Sequence, residues 1–243
     1  MNAPSHSSAL LACDVFKEEI EAFAARGAAW KSVRFLEMGL HDFPDNLRSE
    51  LASALLAIEE DPQVETILLA YGRCGNGLVG LQAGRARLVL PQAHDCLSIL
   101  LGGRERHDAI LRETPGTYFY SPGWIRGKRV PGPDRESYLR ELYRERYPDD
   151  EEMLDDLVEV DRESFAHNSC AAYVDITGNA QAEAYCKGCA HYMGWSYKHL
   201  EGDPSFLESL LTGPWNDPQR FLVVPPHHFI AAREDGTFFA REP

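Results

Sequence analysis

The chain has 243 residues, 44% hydrophobic, 26% charged and 10% aromatic, enough to bury one large core or two modest ones, which excludes a disordered or fibrous protein. Thirty-eight acidic against 24 basic side chains leave a net charge of −14, which repels phosphate backbones and argues against nucleic acid as the main partner. No apolar stretch reaches the roughly 18 residues of a membrane span. Met1 to Ala9 carry neither a basic nor a long apolar leader, so a soluble, cytoplasmic protein is expected. In that setting the six cysteines read as reduced thiols or metal ligands rather than disulfides.

In chain order, a strand is predicted at Ser8 to Cys13, then an amphipathic helix in which Val15, Phe16, Ile20, Phe23 and Ala24 share an apolar stripe. A second strand covers Val33 to Met38. Pro44 opens a helix whose Leu47, Leu51, Leu55 and Ile58 recur at helical spacing, and Asp61-Pro62 ends it. The apolar run Thr66 to Ala70 is a third strand that enters the glycine-rich segment Tyr71 to Gly80. A fourth, Arg87 to Leu90, meets Pro91 and then His94-Asp95-Cys96, after which Leu97 to Leu101 opens another helix. Further on, Thr117 to Tyr120 reads as a strand, Arg135 to Tyr147 and Asp149 to Phe165 as charged helices with solvated faces, and Ala171 to Ile176 as a strand. Ala180 to Met193 reads as a helix, and Trp195 to Leu200 and Phe221 to Val224 as the last strands.

This alternation predicts an α/β fold: an open, mainly parallel sheet of Rossmann-like βαβ units in a three-layer sandwich over residues 1–113. A smaller α/β lobe would follow over residues 114–243, with a charged helical insertion at about 134–166. Ligands of such a sheet bind outside the carboxyl ends of the strands. Cys13 ends the first strand, His41 follows the second, Cys74 the third, and His94 with Cys96 the fourth. Thiolate and imidazole are the ligands of zinc and iron, so Cys13, Cys74, Cys96 and His94 form the candidate metal set. With one position open, such an ion would deprotonate a thiol or water.

His94 and Asp95 are the catalytic candidates: His94 as ligand or, if three cysteines suffice, as general base, and Asp95 as the carboxylate that orients an imidazole. The substrate-binding candidates are His41, Arg73, Asn76, Arg104, Tyr118 and Trp124; the two arginines suit an acidic ligand and the two aromatics a pocket wall. Cys13 and Cys74 could instead be small buried hydrophobes. The one literal Cys-x-x-Cys, Cys186 to Cys189, lies inside a helical pattern, where core packing is expected. No Gly-x-Ser-x-Gly elbow, His-Glu-x-x-His helix, dinucleotide fingerprint or P-loop is present.

Tyr71-Gly-Arg-Cys-Gly-Asn-Gly, Pro91-Gln-Ala-His-Asp-Cys-Leu, Gly102-Gly-Arg-Glu-Arg, Pro115-Gly-Thr-Tyr-Phe-Tyr-Ser-Pro-Gly-Trp and Gly213-Pro-Trp together resemble the domain-of-unknown-function family numbered 1638, from Cys13 to Pro226. The resemblance implies that Cys13, Cys74, His94, Asp95 and Cys96 are signature positions, and that Cys170, Cys186 and Cys189 are structural. It further implies a place in one-carbon metabolism, beside corrinoid proteins and corrinoid-dependent methyltransferases. His94-Asp95-Cys96 is similar to the His-x-Cys zinc pattern of methyltransferases that act on thiols, although the strand layout is too short for their barrel. The expected function is therefore that of a zinc or iron protein acting on a small molecule in methyl transfer, with corrinoid reached through a partner. The alternatives are a non-enzymatic metal or corrinoid-handling accessory of a methyltransferase complex, and a metal-free cysteine transferase or hydrolase. A homodimer is left open.

Overall fold

The computed structural model describes residues 7–243; residues 1–6 of the N-terminal segment read above lie outside the described residues. The elements in order are β1 (Ser8–Cys13), α1 (Lys17–Ala25), β2 (Val33–Leu36), α2 (Pro44–Ile58), β3 (Thr66–Ala70), β4 (Arg87–Pro91), α3 (Cys96–Leu100), α4 (Arg104–Glu113), β5 (Thr117–Tyr120), α5 (Pro122–Arg126), α6 (Arg135–Arg144), α7 (Glu151–Ser164), β6 (Cys170–Asp175), α8 (Ala180–Met193), β7 (Ser196–Glu201), α9 (Ser205–Thr212), β8 (Phe221–Val224), β9 (Phe229–Ala232) and β10 (Phe238–Arg241). Single 3-10 turns at Asp14–Phe16, Leu40–Asp42 and Cys74–Asn76 lie beyond β1, β2 and β3. The chain is a mixed α/β protein whose described residues divide into two compact units, residues 7–107 with 202–243 and residues 108–201. The boundary therefore falls inside α4, and the last 42 residues return to the first unit.

The first unit is built on a five-stranded sheet in the order β2-β1-β3-β4-β8. Its first four strands are parallel, with Leu10 opposite Leu68 and Cys13 opposite Leu36, and β8 runs antiparallel to β4. All residues of β1 and β3 are buried, which is why both read as unbroken apolar runs: strands covered on both faces show no alternation. Pro44 occupies the first turn of α2, where its missing N–H has no intrahelical partner to lose. That helix buries Leu47, Leu51, Ala54, Leu55 and Ile58, and α9 buries Phe206, Leu207, Leu210 and Leu211 beside β3 and β4. A hairpin, β9 with β10, completes the unit.

The second unit holds a parallel sheet in the order β5-β6-β7. Its core joins Tyr120 and Tyr173 to Ala182, Cys186, Cys189 and Ala190 of α8. The charged helices α6 and α7 pair through Arg135 with Asp161 at 2.5 Å and Arg140 with Asp155 at 2.5 Å. Their charge runs thus carry cross-helix ion pairs as well as solvated faces. Among the described residues no helix is long and apolar enough to cross a membrane.

Candidate functional site

In the first sheet the chain steps from β1 to β2 on one side and then crosses back to β3 on the other. The loops leaving the carboxyl ends of β1 and β3 therefore diverge, and the crevice between them is where ligands of open α/β sheets bind. Cys13 is the last residue of β1, and the chain turns at once into the Asp14–Phe16 turn, whose Val15 N–H donates to the Cys13 sulfur. The loop after β3 supplies Tyr71, Gly72 and Cys74; the loop after β4 supplies Cys96, the first residue of α3.

Two local features hold the second and third of these loops together. The Arg73 N–H donates to Ala93 O at 2.9 Å and His94 O at 3.1 Å. Gly72 lies so close to Asp95 that a Cβ there would sit 2.5 Å from the Asp95 Cα and carbonyl carbon, and its N–H donates to the Cys96 sulfur. Asp95 fixes the start of α3: its Oδ1 accepts from Ser98 N–H at 2.7 Å while the Asp95 N–H donates to Ser98 Oγ at 3.2 Å, a reciprocal cap. Cys74 itself has φ +45° and Asn76 φ +69°. The left-handed region costs a non-glycine residue about 1–2 kcal/mol, Asn least of all, and such strain concentrates at functional loops.

These loops bring three sulfurs into one hydrogen-bonded chain. The Cys13 thiol donates to Cys96, and the Cys96 thiol donates on to Cys74. Cys13 and Cys96 are 4% and 7% exposed, and Cys74 is half-buried. Donation to Cys96, followed by burial, pushes the Cys13 thiol well above its ordinary range. For Cys96 the bond accepted from Cys13 pulls downward, but donation to Cys74 and burial outweigh it. Tyr71, 2% exposed, is held un-ionised first by burial and then by Cys13, Cys74 and Cys96 around it. Its hydroxyl has no hydrogen-bond partner among the described residues, an expensive state for a buried donor.

A pH dependence follows. The two buried thiols stay protonated in the fold, whereas in the unfolded chain they titrate near 9. Above that pH the unfolded chain gives up protons that the folded chain keeps. The thiols' contribution is therefore fully present below about pH 9 and falls as pH rises, by up to about 1.4 kcal/mol per pH unit for each thiol. Chelator-treated protein is expected to lose melting temperature steadily above about pH 9, followed by circular dichroism, and the double variant Cys13→Ala, Cys96→Ala to show a shallower decline. Equal slopes would contradict the buried-thiol picture.

His94 does not join the sulfurs. Its ring is largely exposed, with Nδ1 3.1 Å from Asp95 Oδ2, and it stacks on His107 at 6.5 Å between centroids. His107, 9% exposed, has Nε2 3.7 Å from the same Asp95 oxygen. Asp95 thus caps a helix with one oxygen and faces two imidazoles with the other. Among the described residues no group of three or more His, Cys, Asp and Glu side chains is arranged to hold a metal ion; the thiols are linked in a row with Cys96 in the middle.

Arg73, His94 and Arg104 line one cavity with Gln92, Asp235 and Thr237. Asn76 accepts from Arg73 Nε at 2.7 Å. His41 sits on the Leu40–Asp42 turn, beside the Cys74–Asn76 turn, with Nε2 3.5 Å from Asp42 Oδ1. Tyr118 and Trp124 belong to the second unit: both pack against its core, and Tyr118 donates to Arg129 O at 3.2 Å. Cys170, Cys186 and Cys189 are buried in that unit as well, and burial pushes the Cys189 thiol up to about 11.

Tyr71 and His107 are the site residues that motif spacing misses. Tyr71 had one readable signal, its place directly after a fully apolar strand; His107 had none, because the run Gly102 to His107 reads through its arginines alone, as an anion holder or a solvated helix face.

Neither a curated protein nor a solved structure matches the chain. One family model does, over residues 35–211, a span that contains Cys74, His94, Asp95, Cys96 and His107 and leaves Cys13 and Gly213-Pro-Trp outside. Since that match covers most of the chain, with two of the three loops that build the thiol cluster, the chain belongs to DUF1638, a family described as proteins of unknown function.

Proposed function

We propose that Cys13, Cys74 and Cys96, linked in a row and not gathered around one point, close on one thiophilic ion, zinc or iron, with a fourth position left to a small-molecule substrate. The observation that carries this reading is the contact of three thiols delivered by three separate strand-end loops to one crevice. Three soft sulfurs are a suitable donor set for such an ion, and the partnerless Tyr71 hydroxyl among them fits a site built for a further occupant. Bound there, the ion would supply a deprotonated substrate thiol or water.

The chain's own residues would do the rest. Burial keeps the Tyr71 hydroxyl protonated, so it serves as a fixed donor to a group at the sulfur site. His94, its Nδ1 turned to Asp95, presents its other nitrogen as a general base; Asp95 keeps the ring in place. In this reading His94 is a base rather than a fourth ligand. The reaction class is methyl transfer to or from a thiol, and the corrinoid partner enters through the family resemblance alone.

Elemental analysis of protein purified without chelator is expected to find close to one zinc or iron per chain, lowered in Cys74→Ser and Cys96→Ser. Metal-free wild type that is folded and active would remove the proposal. A corrinoid-handling accessory would instead co-purify with a corrinoid protein and show no turnover over a panel of methyl donors and thiol acceptors. One observation favours a metal-free cysteine enzyme: Cys74 is the least buried of the three sulfurs and ends their hydrogen-bond chain. Iodoacetamide would then label Cys74 far faster than the rest, with no effect of chelator on activity.

A further inference from the structure

We infer that the cavity walled by Arg73, His94 and Arg104 holds the acid group of a small organic monoanion. Its role as the substrate's anchor rests on the reading above; its existence as a binding site does not. The cavity encloses about 170 Å³, and at about 30 Å³ for a water in the liquid it has room for roughly six non-hydrogen atoms. Its wall is assembled from four places: Arg73 beyond β3, Gln92 and His94 beyond β4, Arg104 at the start of α4, and Asp235 in the β9–β10 turn.

These groups are held by the fold. Arg73 Nε donates to Asn76 Oδ1 at 2.7 Å, which sets the guanidinium plane. Gly236, at φ +84°, leaves that guanidinium its place, since a Cβ there would overlap Arg73 Nη1. Gln92 fastens the hairpin through both ends of its amide, Nε2 donating to Phe238 O and Oε1 accepting from Phe238 N–H, each at 2.8 Å. Asp235 Oδ1 accepts from Thr237 N–H at 2.9 Å and Oγ1 at 2.7 Å, and these bonds hold its carboxyl below the usual range. Two guanidinium groups, Arg73 and Arg104, and one carboxylate, Asp235, line the wall. That balance suits a monoanion better than a polyphosphate, and the planar guanidinium fork matches a carboxylate. The cavity and the thiols share two loops: Arg73 adjoins Cys74, and His94 stands two residues before Cys96. A ligand anchored here therefore lies against the loops that carry two of the sulfurs.

Calorimetric titration of the chelator-treated full chain with propionate, inorganic phosphate and chloride at matched ionic strength tests this. Propionate is expected to bind, weakened about tenfold or more by Arg73→Gln and by Arg104→Gln, and weakened also by Gly236→Ala, which keeps every charge while crowding the guanidinium and straining the turn. Phosphate binding with the same dependence would support an anion site whose ligand is a phosphate. No binding beyond that of chloride, or binding indifferent to both arginine variants, overturns the inference. Binding that survives in Cys96→Ser upholds the anion site even where metal analysis has removed the thiol-site reading, so the two failures are distinguishable.

Discussion

Gly72→Ala is expected to destabilise the first unit by about 3 kcal/mol and to loosen the thiol cluster at the same time. The added methyl would meet the Asp95 main chain at 2.5 Å, and a main chain tied down on both sides cannot swing away as a side-chain tip can. Arg73 is fastened to Ala93 and His94, and Asp95 is fastened to Ser98. Overpacking at such a point costs about 1–3 kcal/mol and more where nothing gives. The Gly72 N–H that donates to Cys96 would shift with it. Urea unfolding monitored by Trp fluorescence should show the lower midpoint, and the variant should retain less metal than wild type. An unfolding free energy within about 0.5 kcal/mol of wild type would mean the two loops are not held as described.

Cys96→Ser is expected to have the largest effect on the site with little effect on the fold. Cys96 is the middle sulfur, in contact with both others, so its loss leaves two thiols that no longer adjoin. Removing an outer partner of a metal site weakens binding about 10–100-fold, and removing a direct ligand costs at least as much. A hydroxyl is smaller than a thiol and can keep a hydrogen bond, so stability should fall by only about 1–2 kcal/mol. Cys186→Ser is the matched control: also buried, but in the core of the second unit, it should cost similar stability and leave metal retention untouched. Equal metal retention in the two variants would place the metal elsewhere.

Much of the fold is legible in the residues because burial on both faces leaves a plain mark. β1, β3 and β5 have the bounds their apolar runs announce, and α2 and α8 begin and end where Pro44, Asn179 and Gly194 place them. The hairpin of β9 and β10 is invisible to the same reasoning, since its strands are short and half-buried and interleave phenylalanines with Ala231, Ala232 and Arg241. α4 hides behind Gly102-Gly103 and a run of charge. Pairing is the deeper limit: nothing in Phe221–Val224 says that it runs antiparallel beside β4, and so nothing announces that residues 202–243 return to the first unit.

The site divides along the same line. Residue type and position at strand ends single out Cys13, Cys74 and Cys96, and chain order alone puts them at one edge. Which polar groups gather around them depends on side-chain direction, which spacing does not encode. His94, two residues from Cys96, turns to Asp95 and His107 instead of the sulfurs, because the Asp95 cap starts α3 between them.

Cobalt substitution tests the central claim most directly, because sulfur-to-cobalt charge transfer counts the thiolates on the ion. Wild type is expected to give a band for three thiolates, reduced by at least a third in each of Cys13→Ser, Cys74→Ser and Cys96→Ser and most of all in Cys96→Ser, and unchanged in Cys186→Ser and Cys189→Ser. No charge-transfer band in wild type, or a band that persists through all three substitutions, would contradict a single site formed by these sulfurs.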